Sequence, residues 1–199
     1  MTSGNLYDHF DRVFAQVEPR PALVSASGET LRTFGALRAE SARLANALAA
    51  LGVAAGDRVT VQVEKSVAGV ALFLAVLRAG AVYQPLNPAY TDAEVDYFIG
   101  DAAPSLIVGD PSRHKALRQI ADRHGVTAVA SLAADGTGSL ADLAQRMESS
   151  HAVVPRASSD LAGLLYTSGT TGRSKGAMIT HGNLQSNAES LVRLWRITA

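Results

Sequence analysis

The chain has 199 residues, of which 47% are hydrophobic, with 18 basic and 18 acidic side chains and no cysteine. A net charge of zero leaves no basic excess to neutralise a nucleic-acid backbone, so DNA and RNA are not expected partners. The missing thiols exclude disulfides, thiolate metal sites and cysteine nucleophiles.

The opening Met1 to Phe10 alternates polar and apolar residues and carries Asp8, which is not the pattern of a secretory signal. The longest apolar run, Val67 to Leu77, has roughly half the length of a membrane helix. A cytoplasmic protein with no membrane partner is the expectation.

In chain order, Leu6, Phe10, Val13, Phe14 and Val17 share one helical face. Ala22 to Ser25 and Thr30 to Phe34 flank Ser27-Gly28-Glu29 as a small hairpin. Leu37, Leu44, Leu48 and Leu51 mark a long helix with Thr33 as its N-cap and Gly52 as its stop. A strand over Arg58 to Val63 follows, then a helix over Val67 to Ala79 closed by Gly80, then a short strand over Val82 to Leu86. Thr91 and Glu94 have capping-box spacing, with Val95, Phe98 and Ile99 on the helix behind them. Beyond lie a strand at Leu106 to Val108, a helix from Ser112 to about His124, a strand at Thr127 to Leu132 and a helix at Ser139 to Met147. Glu148 to Ser159 is polar and reads as a surface connection. Strand–helix alternation of this kind predicts an α/β fold, with layered, parallel-rich sheets and flanking helices.

The most informative stretch comes next. Leu161 to Tyr166 is apolar and short, a buried strand by expectation. Thr167 to Gly176 then gathers glycines (Gly169, Gly172, Gly176), hydroxyls and two cations, after which Ala177 to Ile179 resumes a strand and Leu184 to Leu194 a helix. Such a loop suits a polyphosphate. Glycines let backbone N–H groups approach phosphate oxygens, hydroxyls of Thr167, Ser168, Thr170 and Thr171 donate, and Lys175 supplies a point charge. It is not the nucleoside-triphosphatase P-loop. Counting from Gly169, the sixth position is Ser174 and the residue after Lys175 is Gly176, so both required residues are missing.

Tyr166-Thr-Ser-Gly-Thr-Thr-Gly-Arg-Ser-Lys-Gly176 resembles the signature loop of adenylate-forming enzymes: acyl-CoA synthetases, luciferases and peptide-synthetase adenylation domains. The usual proline before the lysine is Ser174 here. Glu64-Lys-Ser66, Arg78-Ala-Gly-Ala-Val-Tyr-Gln-Pro-Leu86 and Asp96-Tyr-Phe98 are similar to early family blocks, and Thr180-His-Gly-Asn183 to the segment after the loop. Within the family, Glu64-Lys-Ser66, Asn87-Pro-Ala-Tyr-Thr91 and Gly172-Arg-Ser-Lys175 look most like malonyl-CoA synthetases.

The resemblance implies an acid–CoA ligase that joins a small carboxylic acid, malonate or methylmalonate, to ATP with Mg2+, then passes the acyl group to coenzyme A. It implies a phosphate cradle of Thr167, Ser168, Gly169, Thr170, Thr171, Gly172 and Lys175, with Thr170 and Lys175 acting in catalysis. Residues 1–199 would form an incomplete N-terminal part of the large domain. The segments that hold adenine, ribose, the magnesium-binding glutamate and the C-terminal lysine would lie past Ala199, and the isolated chain would be inactive.

Two other readings compete. Gly136-Thr-Gly-Ser-Leu-Ala141 fits the dinucleotide fingerprint Gly-x-Gly-x-x-Ala, with Asp160 near the acidic position, which would suit an NAD(P)-dependent Rossmann-type oxidoreductase. Against it, Ala133-Ala-Asp135 separates the strand from the first glycine, and a loop with Ser139 as helix cap explains the same residues. A non-catalytic truncated module is the other. The five histidines (His9, His114, His124, His151, His181) lack metal-ligand spacing. His181 reads as a surface or capping residue, Asp8 with Asp11 and Asp92 with Glu94 as solvated helix-end charges, Glu64 and Lys65 as a structural pair, and Tyr83 and Tyr97 as packing.

Overall fold

The computed structural model describes residues 3–167 and 174–197. Helix α1 (Leu6–Gln16) starts where the Asn5 side chain accepts the Tyr7 N–H. Strands β1 (Pro21–Val24) and β2 (Thr30–Thr33) form a two-stranded antiparallel sheet. Thr33 caps α2 (Phe34–Ala50) through the Ala36 N–H, and Gly52 leaves that helix at φ +88°. The main sheet begins with β3 (Arg58–Gln62), followed by α3 (Val67–Arg78) and β4 (Val82–Pro85). Then come α4 (Asp92–Ala102), β5 (Leu106–Gly109), a 3₁₀ turn at Pro111–Arg113, α5 (His114–Arg123), β6 (Ala128–Ser131) and α6 (Ser139–Gln145). The last elements are β7 (Leu161–Thr167), β8 (Lys175–Thr180) and α7 (His181–Leu194).

The order across the main sheet is β6-β5-β3-β4-β7-β8, parallel up to β7, with β8 antiparallel at the edge. Mixed α/β layering is therefore borne out. The chain steps from β3 to β4 in one direction, then crosses back over β3 to reach β5. Crossovers of one hand that reverse direction put their helices on opposite faces. Side-chain alternation along β5 follows suit: Leu106 and Val108 belong to the core beneath α1, α2, α3 and α6, and Ile107 to the core beneath α4 and α5.

The polar connection at 146–160 is strapped to the body. Asn46 donates to the carbonyls of Glu148 and Ser150, both at 2.9 Å, and Asn5 donates to that of Val154 at 2.8 Å. Arg78 fixes its middle, donating from Nε to the His151 carbonyl at 2.9 Å. The same guanidinium donates to the Tyr7 hydroxyl (2.9 Å), the Arg38 carbonyl (3.0 Å) and the Ser41 hydroxyl (3.2 Å). Its carbon lies 5.0 Å from the centre of the Tyr7 ring.

Two local expectations need correction. The strand Leu161–Thr167 is buried only at Ala162 and Gly163, because its outer half runs past the neighbouring strand. Ser139 is the first helical residue rather than the cap; its hydroxyl instead accepts the Ser131 N–H at 2.9 Å.

Candidate functional site

β7 and β8 form an antiparallel hairpin whose last described pair is Thr167 opposite Lys175, with Tyr166 opposite Gly176 behind it. The two ends of the glycine-rich loop thus bring an exposed hydroxyl and an exposed ammonium together at its mouth. Ser168, Gly169, Thr170, Thr171 and Gly172, the rest of the expected cradle, lie outside the described residues. β7 runs parallel to β4, so Thr167 emerges at the carboxyl edge of the sheet.

Helix α4 supports this hairpin. Its Phe98 packs on the Tyr166 ring at 4.5 Å, and its Asp101 accepts the Tyr166 hydroxyl at 2.5 Å. Burial first, and then the adjacent Asp101 carboxylate, push the Tyr166 phenol well above its ordinary pKa. From the same helix, the Tyr97 hydroxyl donates to the Ser174 carbonyl at 3.0 Å, one residue before Lys175. Gly176 makes room for the packed ring: a Cβ there would sit 2.9 Å from Leu164 Cδ1 and 3.5 Å from the Tyr166 ring.

A crevice of about 710 Å³ opens at the carboxyl ends of β3 and β4, lined by Glu64, Lys65, Ser66, Phe73, Tyr83 and Asn87 among others. α3 leaves β3 on one face and α4 leaves β4 on the other, so this is the topological switch point, where open α/β sheets bind ligands. No ion pair of Glu64 or Lys65 falls among the described residues, so the expected structural pairing is not seen. Tyr83 packs edge-on against Phe73 at 5.2 Å, and burial pushes its pKa up to about 12.

Several other expectations change. His181 is fully buried, not a surface residue; the cap of α7 is Thr180, in a capping box with Asn183. His181 Nδ1 accepts the Leu6 N–H at 3.2 Å, and burial, reinforced by Arg156, lowers its pKa to about 4. Asp11 is no solvated end charge, since Arg38 reaches it at 2.9 Å and Arg78 at 3.5 Å. Asp8 pairs with Arg12 and Asp92 with Arg113, whereas Glu94 completes the capping box with Thr91. Tyr97 does more than pack.

The Gly136–Ala141 turn closes on its own strand. Gly138 adopts φ +126°, and a Cβ there would lie 2.5 Å from the Ser131 carbonyl oxygen. Its glycine is thus explained by a close approach of protein backbone, with no dinucleotide needed. Asp160 accepts the Ala157 N–H and pairs with Arg156.

Among the described residues no group of three or more His, Cys, Asp or Glu side chains could hold a metal ion, and no helix is long and apolar enough to cross a membrane. Sequence reasoning missed Asp101 and the brace made by Tyr97. An exposed tyrosine and an aspartate one helical turn apart beside Phe98 were the available signal, and it is a faint one.

Comparison with known proteins gives the geometry a family. The crystal structure of ATP-bound MatB from Rhodopseudomonas palustris superposes with a TM-score of 0.89 at 46% identity, over 99% of this chain and 39% of that one. The 4-coumarate–CoA ligase-like protein 8 of Oryza sativa subsp. japonica is 40% identical over 88% of this chain and 28% of its own length. The long-chain-fatty-acid–CoA ligase FadD13 of Mycobacterium tuberculosis is 35% identical over 88% of this chain and 35% of its own. The chain therefore spans about a third of the ligases it matches. The family model described as AMP-binding enzyme matches residues 10–198, and the chain belongs to that family of adenylate-forming enzymes.

Proposed function

We propose that this chain supplies the phosphate-loop portion of an AMP-forming acid–CoA ligase acting on a small dicarboxylic acid, malonate or methylmalonate. The observation that carries the reading is the pairing of Thr167 with Lys175 across the mouth of the glycine-rich loop, at the ligand-binding edge of the sheet. Similarity to CoA ligases of separate organisms supports the reaction class. Resemblance of Glu64-Lys-Ser66, Asn87-Pro-Ala-Tyr-Thr91 and Gly172-Arg-Ser-Lys175 to malonyl-CoA synthetases supports the acid.

In the proposed reaction a carboxylate oxygen of the acid bonds to the α-phosphorus of ATP, and the bond to pyrophosphate breaks. The thiol of coenzyme A then attacks the acyl carbon, and AMP departs. The obstacle in the first step is electrostatic, an anion approaching a polyanion. Thr167, Ser168, Gly169, Thr170, Thr171, Gly172 and Lys175 form the cradle for the β- and γ-phosphates. Their donors and the ammonium charge stabilise negative charge as pyrophosphate leaves, with Thr170 and Lys175 assigned the catalytic part. Magnesium, when bound, would offset phosphate charge. The resemblance assigns its glutamate ligand to a later segment, and the role of this chain does not run through that ion. We place residues 1–199 in the N-terminal part of the large domain, with the remaining sites in segments that the longer relatives carry.

A graft tests this reading: residues 1–199 replace the matching portion of the Rhodopseudomonas palustris MatB protein. Pyrophosphate release is then followed with ATP, coenzyme A and a panel of carboxylic acids. Release that depends on the acid and is fastest with malonate or methylmalonate is expected. A folded graft that releases none with any acid, or an isolated chain that binds NAD and not ATP, would defeat it.

A further inference from the structure

Helix α4 holds both stems of the hairpin, one on each side of the loop. We propose that Tyr97 and Asp101 are positioning residues for polyphosphate binding, a role that rests on the phosphate reading of the loop. The two lie one turn apart on the same face of the helix, and each takes a different strand. Tyr97 donates to the carbonyl of Ser174, which precedes Lys175; Asp101 accepts the hydroxyl of Tyr166, which precedes Thr167. Between them Phe98 packs on the Tyr166 ring. The residues at the mouth of the loop are thereby fixed through their immediate neighbours.

The hairpin needs such support. β7 pairs with β4 at Gly163, near its base, and β8 is an edge strand. The outer half is a two-stranded ribbon, which has little stability of its own in water. α4, by contrast, is tied to the body, with Asp92 near its start held by Arg113, just before α5. A capping box with Thr91 starts it, and Asp96 pairs with Arg123 at 2.8 Å and with His124 at 3.1 Å.

Asp101 also poses a question that positioning answers. A carboxylate beside a polyphosphate loop would repel the ligand if it faced it. Engaged on the Tyr166 hydroxyl, it orients a stem instead and leaves the cation at Lys175 to meet the anion.

The test uses the whole 199-residue chain, isotopically labelled, titrated with magnesium pyrophosphate and separately with ATP. Amide shifts of Thr167, Lys175 and Gly176 report binding, and thermal unfolding reports stability. Tyr97→Phe keeps the ring and removes the donor, and is expected to weaken pyrophosphate binding about three- to tenfold with an unchanged unfolding midpoint. Asp101→Ala is expected to weaken it comparably, and Asp101→Asn, which keeps an acceptor oxygen, to recover most of the affinity. Should Asp101→Ala fail to fold, Tyr166→Phe removes the same hydrogen bond from the other side. Wild-type affinity in both Tyr97→Phe and the Asp101 or Tyr166 variant overturns the positioning role and leaves the phosphate reading standing. If the wild-type chain responds to neither ligand, the same variants are read in the MatB graft. There an unchanged KM for ATP overturns the positioning role, and a folded but inactive wild-type graft removes the phosphate reading and the positioning role with it.

Discussion

Two cations on either side of β4 are treated in opposite ways. Arg78, at the end of α3, is 5% exposed and wrapped by Tyr7, Arg38, Ser41 and His151, with Asp11 close by. Lys175, at the start of β8, stands exposed on a ribbon whose Met178 is 69% exposed. Where the body closes, the Arg78 side chain knits distant segments together and its donors are satisfied. Where the hairpin projects, similar chemistry is left available. Substitutions should therefore read as lost stability on one side and lost binding on the other.

Arg78→Ala should produce the largest effect. It strips donors from a buried network and leaves Asp11 without its inner partner, a loss of about 3–5 kcal/mol in urea-induced unfolding. A loss under about 1 kcal/mol would break the contrast between the two regions. Next comes the pH response of His181. Buried and neutral in the fold, it must bind its proton at about pH 4, whereas in the unfolded chain it does so near 6.5. Unfolding is then accompanied by proton uptake between those values, so stability falls as pH drops from about 6.5 to about 4, by an amount on the order of 3 kcal/mol. Above that window this residue adds no slope. Protonation of Nδ1 would also set a donor against the Leu6 N–H. Unfolding free energies measured across this range should lose that part of the slope in His181→Gln, and an unchanged slope would refute the assignment.

On the hairpin side, Lys175→Ala in the MatB graft should lower kcat/KM for adenylation by an amount equivalent to about 1.5–3 kcal/mol, the range for a hydrogen bond to a charged group. Its unfolding free energy should match that of the parent. Adenylation kinetics equal to the parent would remove Lys175 from the site. Smallest is Thr91→Ala, which opens the capping box of α4 and should cost about 1 kcal/mol. Because α4 carries the hairpin brace, that variant sharpens the comparison: faster amide exchange at Tyr97 and Asp101 should extend to Gly176.

The motif at Thr167 to Gly176 was legible because its chemistry is concentrated within ten or so neighbouring residues. Its support was not. Tyr97 is an exposed tyrosine on an amphipathic helix, and nothing local distinguishes a packing ring from one whose hydroxyl meets Ser174, 77 positions away. Asp101 was passed over for the same reason, since its partner Tyr166 lies 65 positions on. The Gly136–Ala141 turn shows the converse failure. Its glycines match a ligand fingerprint by spacing, yet Gly138 is required by the approach of Ser131.

By itself the sequence determined what short-range physics controls: where helices start and stop, as at Thr33, Thr91 and Gly52, the strand–helix alternation, and the glycine- and hydroxyl-rich composition of the loop after β7. Those signals are written within a turn or two of the chain, where caps, periodic apolar residues and glycine conformations act. Tertiary structure alone decided that His181 is sealed beneath Leu6, that Asp11 reaches Arg78 and that α4 grips both stems of the hairpin. Each of these joins residues far apart in the chain. Such contacts depend on which faces meet when the layers pack, and no window of sequence contains both partners.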